Sequence, residues 1–93
     1  MKFSEALVHL EEGLRISRSG WNGKGMWIAL YPGEIGMPSH KLVCRHAKSF
    51  AVGNGGKADV LPCVMMKTSD SKILFGWLAS QSDLTSDDWE VVE

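Results

Sequence analysis

Residues 14–31 constrain this chain more than any other stretch. Leu14-Arg15-Ile16-Ser17-Arg18 alternates apolar and polar side chains, the period of a half-buried strand with Leu14 and Ile16 inward. Residues 26–31 read as a second, apolar strand, closed by the turn chemistry of Pro32-Gly33. Between them, residues 19–25 hold three glycines and one large aromatic, Trp21. Strands this close in sequence pair as antiparallel neighbours, so the tryptophan loop is their connection. Trp21 sits beside Asn22, whose amide bonds on two edges, and between the cations Arg18 and Lys24. The glycines let a ligand approach the backbone. Two readings are open. The loop is a stacking platform for a planar base, with Asn22 and glycine amides on its polar edges; or it is a tight connection whose Trp21 caps the core.

The other elements build on this hairpin. Phe3, Ala6, Leu7 and Leu10 recur at i, i+3, i+4 and i+7, which predicts a helix over residues 4–12, with Ser4 as N-cap and Gly13 just past its end. Residues 60–68 and 72–78 predict a second hairpin around Ser69-Asp70-Ser71, with Pro62 at a strand start or edge. Residues 80–87 are rich in capping side chains and suit one helical turn, and residues 88–93 alternate as a closing strand. From residue 32 to 59 the signals are weak. Residues 41–45 read as a short strand or a helical turn, Phe50-Ala51-Val52 is a short apolar segment, and Gly53-Asn54-Gly55-Gly56-Lys57 is a flexible loop. The expected fold is α+β: one N-terminal helix packed on a small, mostly antiparallel sheet of about five strands, in one domain spanning residues 1–93.

Composition narrows the function. At 93 residues a chain buries only about 60–65% of its unfolded surface. A net charge of −1 argues against a dedicated DNA or RNA binder. No apolar run approaches the ~18 residues of a membrane span, and the N-terminus reads straight into the helix without a signal peptide. Two cysteines, Cys44 and Cys63, fit a reducing cytoplasm. Four tryptophans are many for so small a core, which points to at least one working at an oligomer interface or a ligand site.

Several constellations could carry chemistry. Arg15 and Arg18 beside a glycine loop suit a phosphate, or they belong to a solvated strand face. Trp77, Ser80 and Asp83 offer an aromatic face, a hydroxyl and a carboxylate able to accept from ribose hydroxyls or an exocyclic amine; alternatively Asp83 and Ser86 cap turns, and Trp77 and Trp89 are core. Asp87, Asp88 and Trp89 favour that structural role. His40, Cys44, His46 and Cys63 lack the paired C-x2-C knuckle of a zinc site, so no metal is expected. The glycine run at 53–56 has neither P-loop spacing nor a dinucleotide fingerprint. No nucleophile elbow, H-E-x-x-H or Ser/His/Asp order is present, so no catalytic residue is assigned. On a strand Cys44 and His46 would share a face, but nothing else completes a site.

Three motifs together resemble the Thoeris anti-defence family, second type. They are Phe3-Ser4-Glu5-Ala6-Leu7-Val8-His9-Leu10, then Arg18-Ser19-Gly20-Trp21-Asn22-Gly23-Lys24-Gly25-Met26, and Trp77-Leu78-Ala79-Ser80-Gln81-Ser82-Asp83-Leu84 with Asp87-Asp88-Trp89. Ala79 stands where the family often has proline. The resemblance covers roughly half the chain and implies a small phage or prophage protein in the cytoplasm of the infected bacterium. It implies a non-enzymatic sponge that holds a cyclic ADP-ribose-type messenger made by a TIR-domain enzyme, needs no cofactor, and in some members also takes cyclic oligonucleotides at a separate site. It implies a homo-oligomer, dimer or tetramer, with pockets at subunit interfaces, and no DNA or membrane partner. The ligand-binding residues expected here are Arg18, Trp21, Asn22, Gly23, Lys24, Met26, Trp77, Ser80 and Asp83. A nucleotide-degrading enzyme and a phage structural or protein-interaction module are the alternatives.

Overall fold

The first helix, α1 (Phe3–Glu11), buries Ala6 and Leu10, one turn apart on a single stripe. It starts one residue earlier than its pattern predicts. Lys2, not Ser4, is the N-cap, because the Glu5 carboxylate accepts the Lys2 backbone N–H at 3.3 Å. The helix ends at Glu11, one residue short of the predicted limit, with the Gly13 stop in its predicted place. Gly13 adopts φ +90°, and Leu14 N–H reaches His9 O while Gly13 N–H reaches Leu10 O, the paired bonds of a Schellman stop.

The computed structural model describes residues 1–93, which divide into two units, Met1–Tyr31 with Cys63–Glu93, and Pro32–Pro62. In the first unit, β1 (Arg15–Arg18), β2 (Trp27–Tyr31), β5 (Cys63–Lys67), β6 (Ile73–Phe75) and β7 (Trp89–Val92) form an antiparallel sheet ordered β6-β5-β2-β1-β7. These are the five strands expected, with tighter boundaries. Ile16 pairs with Ile28, Met66 with Ile28, and Trp89 with Arg18. Residues opposite each other share a face, so Ile16, Ile28, Met66 and Trp89 meet Ala6 and Leu10 as the core. Each fully buried aliphatic side chain there contributes roughly 1.5–3 kcal/mol. Leu14 was expected inward but is 42% exposed: it lies on the helix stop, before β1 begins, where strand alternation does not yet apply.

Alternation places Arg15, Trp27, Ala29, Tyr31, Met65, Lys67, Ile73 and Phe75 on the opposite face of the sheet. Tyr31 and Phe75 meet edge-on there at 5.3 Å. Within this unit α1 packs on β1, β2 and β7 from the core side. The predicted closing turn is α3 (Gln81–Thr85), capped by Ser80.

The second unit holds what the weak middle signals concealed. It comprises β3 (Glu34–Pro38), a 3-10 turn (Ser39–Lys41), α2 (Arg45–Gly53) and β4 (Lys57–Val60), with β3 and β4 antiparallel. The Phe50-Ala51-Val52 segment is the end of α2, and only Ala51 is buried. The strand expected over 60–68 is β5, which starts only at Cys63 because Leu61-Pro62 separates it from β4; Val60 belongs to β4. No helix is long and apolar enough to cross a membrane.

Candidate functional site

The loop between β1 and β2 is held by carboxylates from the closing segment. Asp83 is the hub. It caps α3 reciprocally with Ser80: Ser80 N–H donates to Asp83 Oδ2 at 2.9 Å, and Asp83 N–H to Ser80 Oγ at 3.1 Å. Its Oδ1 then accepts Trp21 Nε1–H at 3.0 Å and Arg18 Nη1 at 2.7 Å, and its backbone carbonyl accepts Trp89 Nε1–H at 2.8 Å. The capping role foreseen for Asp83 and the gathering of Arg18, Trp21 and Trp89 around it are therefore one arrangement.

Asp88 completes it. Arg18 Nε donates to Asp88 Oδ1 at 2.9 Å, and Gly20 N–H to Asp88 Oδ2 at 2.8 Å. A Cβ on Gly20 would collide with that carboxylate oxygen, so the close approach needs glycine. Asp88 was expected to be structural, without a named partner; its pairing with Arg18 was not legible, because the two lie 70 positions apart and meet only through the β1–β7 ladder. Burial pushes the Asp83 carboxyl up, but the bonds from Trp21, Ser80 and Arg18 outweigh it and bring it down to about 2. The Arg18 guanidinium likewise holds Asp88 below the usual carboxylate range, and the two carboxylates raise Arg18.

Three indoles stack edge to face behind the loop. Trp21 lies 5.3 Å from Trp89 and 6.2 Å from Trp77, and Trp77 lies 6.3 Å from Trp89. Trp89 is 2% exposed, as its core assignment requires. Trp21 packs against the core, as its capping reading requires, and also lines a groove of about 580 Å³.

That groove brings together Arg18, Trp21, Gly23, Lys24 and Met26. Trp77, Ser80 and Asp83 lie behind Trp21, outside the groove lining, and Asn22 is exposed on the loop. Sequence reasoning missed Trp27, Glu90 and Glu93, which also line it. The signal was there in part: alternation in β7 sends Glu90 to the face away from Trp89. The cations differ in availability. Arg18 is spent on two carboxylates, and Arg15 lies 5.3 Å over the Trp27 ring with Nη2 on Glu93 O at 3.2 Å. Lys67 Nζ donates to Gly25 O at 3.0 Å and ties down the far end of the loop. Lys24 is exposed and makes no ion pair.

Elsewhere, Cys44 is the N-cap of α2, so the strand geometry considered for Cys44 and His46 does not apply. The Ala47 and His46 amides lower the Cys44 thiol. No three His, Cys, Asp or Glu side chains gather as a metal site.

The sequence profile of the Thoeris anti-defense 2-like domain matches residues 1–92. A relative from Bacillus phage SP01 named Thoeris anti-defense 2 is 34% identical over 95 residues, covering 99% of this chain and 94% of its own length. The chain belongs to the Thoeris anti-defense 2-like family.

Proposed function

We propose that this chain is a phage anti-defence sponge: it binds a cyclic ADP-ribose-type messenger from a TIR-domain enzyme and holds it without cleavage in the cytoplasm of the infected host. Family membership supports the anti-defence role. The observation that carries the ligand reading is the groove beside Trp21, with an indole wall, glycine amides and the unpaired Lys24 ammonium in one concavity of about 580 Å³. That is within the usual ~300–1,000 Å³ of small-molecule sites. Trp21 and Met26 take the base, Lys24 and the amides near Gly23 take phosphate, and Glu90 or Glu93 accepts from hydroxyls or an amine. Trp77, Ser80 and Asp83 carry the loop from behind.

One chain falls short of the required affinity. Sequestration of a micromolar messenger needs nanomolar binding, about −12 kcal/mol. One stacked base contributes ~1–3 kcal/mol and one charge-assisted hydrogen bond ~1.5–3 kcal/mol. The unit that holds the groove has nine carboxylates against six Lys and Arg, a net −3, so net charge does not draw in an anion. A second copy supplying further donors meets the deficit. The sheet face bearing Trp27, Tyr31, Met65 and Phe75, left open within its unit, favours such a homo-oligomer.

The test is retention and release. The protein is incubated with a TIR-made cyclic ADP-ribose isomer, freed of unbound ligand and heat-denatured. Intact messenger should be released. A hydrolysed product would instead identify a nucleotide-degrading enzyme, and no retention of any messenger would leave an interaction module.

A further inference from the structure

Arg18 lines the groove, yet its donors point away from any ligand. Nε and Nη2 donate to Asp88 at 2.9 and 3.5 Å, and Nη1 donates to Asp83 at 2.7 Å. Neither aspartate lines the groove. Each also grips the loop directly, Asp88 at the Gly20 amide and Asp83 at the Trp21 indole N–H. One cation between two anions leaves the cluster at net −1, which does not attract phosphate.

We propose that Arg18, Asp83 and Asp88 are positioning residues of the groove, which fix the loop that presents Trp21 and the glycine amides, and that Lys24 is the cation that meets the ligand's phosphate. The ligand half of this inference rests on the nucleotide-binding reading above; the loop half does not. The division of labour has a structural logic. Asp83 is anchored by its own helix cap, and Asp88 immediately precedes β7, so both belong to fixed elements. The loop is the piece that must be held, and it has only the Lys67–Gly25 bond at its other end. Arg18 bridges the two carboxylates, which would otherwise repel each other at close range across the loop. A guanidinium suits this task because its planar fork presents Nε and Nη donors to two acceptors in a fixed geometry, whereas a lysine ammonium is a compact point charge with no such fork.

The experiment uses Asp88→Ala, Asp88→Asn, Arg18→Lys and Lys24→Ala in the full chain. In ligand-free protein, NMR follows the Gly20 amide and the Trp21 indole N–H. Asp88→Ala should speed Gly20 amide exchange about tenfold or more and shift the Trp21 indole signal, and Asp88→Asn, which keeps an acceptor, should recover part of both. Binding of cyclic ADP-ribose as the probe is then titrated at low and high salt. Arg18→Lys should weaken binding about tenfold while leaving its salt dependence in place; Lys24→Ala should weaken binding and flatten the salt dependence. Unchanged loop signals in Asp88→Ala would overturn the inference, and so would an Arg18→Lys variant that loses salt dependence as Lys24→Ala does. If Asp88→Ala does not fold, Arg18→Lys reads the same two loop signals. Failure of the wild-type chain to bind the probe counts against the proposed function, while the loop signals still decide the positioning role.

Discussion

The two units of this chain are stabilised by different means. The unit Met1–Tyr31 with Cys63–Glu93 has a buried core of Ala6, Leu10, Ile16, Ile28, Met66 and Trp89, with a carboxylate–guanidinium cluster locking its main loop onto that core. The unit Pro32–Pro62 buries one side chain, Ala51, and leaves Ile35, Val43, Phe50, Val52 and Leu61 exposed at 64–98%. Its order rests on the β3–β4 ladder and on local bonds such as Asn54 Nδ2 to Lys57 O at 3.0 Å and Gly36 N–H to Asp59 Oδ1 at 2.8 Å. Few buried apolar contacts and exposed backbone bonds give low local stability. The contrast places the rigid groove in the first unit and the readily opened segment in the second.

The largest break in that contrast comes from Trp89. Trp89→Ala removes the ring that Trp21, Trp77 and Phe3 pack on, and should cost about 3–5 kcal/mol, enough to unfold the first unit in a small domain. Urea denaturation followed by tryptophan fluorescence measures it. A cost under 1 kcal/mol would mean that the aromatic cluster does not carry the core.

Asp83 comes next. Its carboxyl is brought down to about 2, below its value in the unfolded chain, so its contribution of roughly 2 kcal/mol is present above about pH 4 and is lost as pH falls toward 2. Acid unfolding of the wild type should therefore steepen in that window. Asp83→Asn should lower stability by about 3 kcal/mol at neutral pH, since Arg18 loses a partner in a half-buried setting, and should flatten the dependence between pH 4 and 2. An unchanged acid profile would remove Asp83 as the hub.

The smallest effect sharpens the comparison from the other side. Gly33 has φ +74°, and a Cβ there would meet the Val60 carbonyl. Gly33→Ala should loosen the β3–β4 pair by about 1–2 kcal/mol. All four tryptophans, Trp21, Trp27, Trp77 and Trp89, lie in the first unit. Hydrogen exchange should therefore accelerate in residues 34–60 while near-ultraviolet circular dichroism stays unchanged. A concerted loss of both signals would show that the two units open as one.

The first unit was readable because its residues obey local rules. Ala6 and Leu10 follow helical spacing, Ile16 and Ile28 follow strand alternation, and Ser80 with Asp83 is a capping pair. The second unit was harder to read: Ala47, Phe50 and Ala51 do fall at i, i+3 and i+4 in α2, but the run is short, lies among Arg45, His46 and Lys48, and buries only Ala51. Within the site, Trp21 and Lys24 stand out in the loop itself. The Arg18–Asp88 pair and the groove lining from Glu90 and Glu93 depend on β7 lying beside β1, a pairing between chain ends that local pattern does not encode. Met1 shows the same: its amino group donates to Trp89 O at 2.7 Å, and nothing near it in sequence foretells that.

The most direct test compares wild type with Trp21→Ala in the retention and heat-release experiment, using a TIR-made cyclic ADP-ribose isomer. The account predicts that the wild type withholds the messenger and releases it intact on heating, while the variant, folded by circular dichroism, retains none. Equal retention by both proteins, or release of a cleaved product by the wild type, would contradict it.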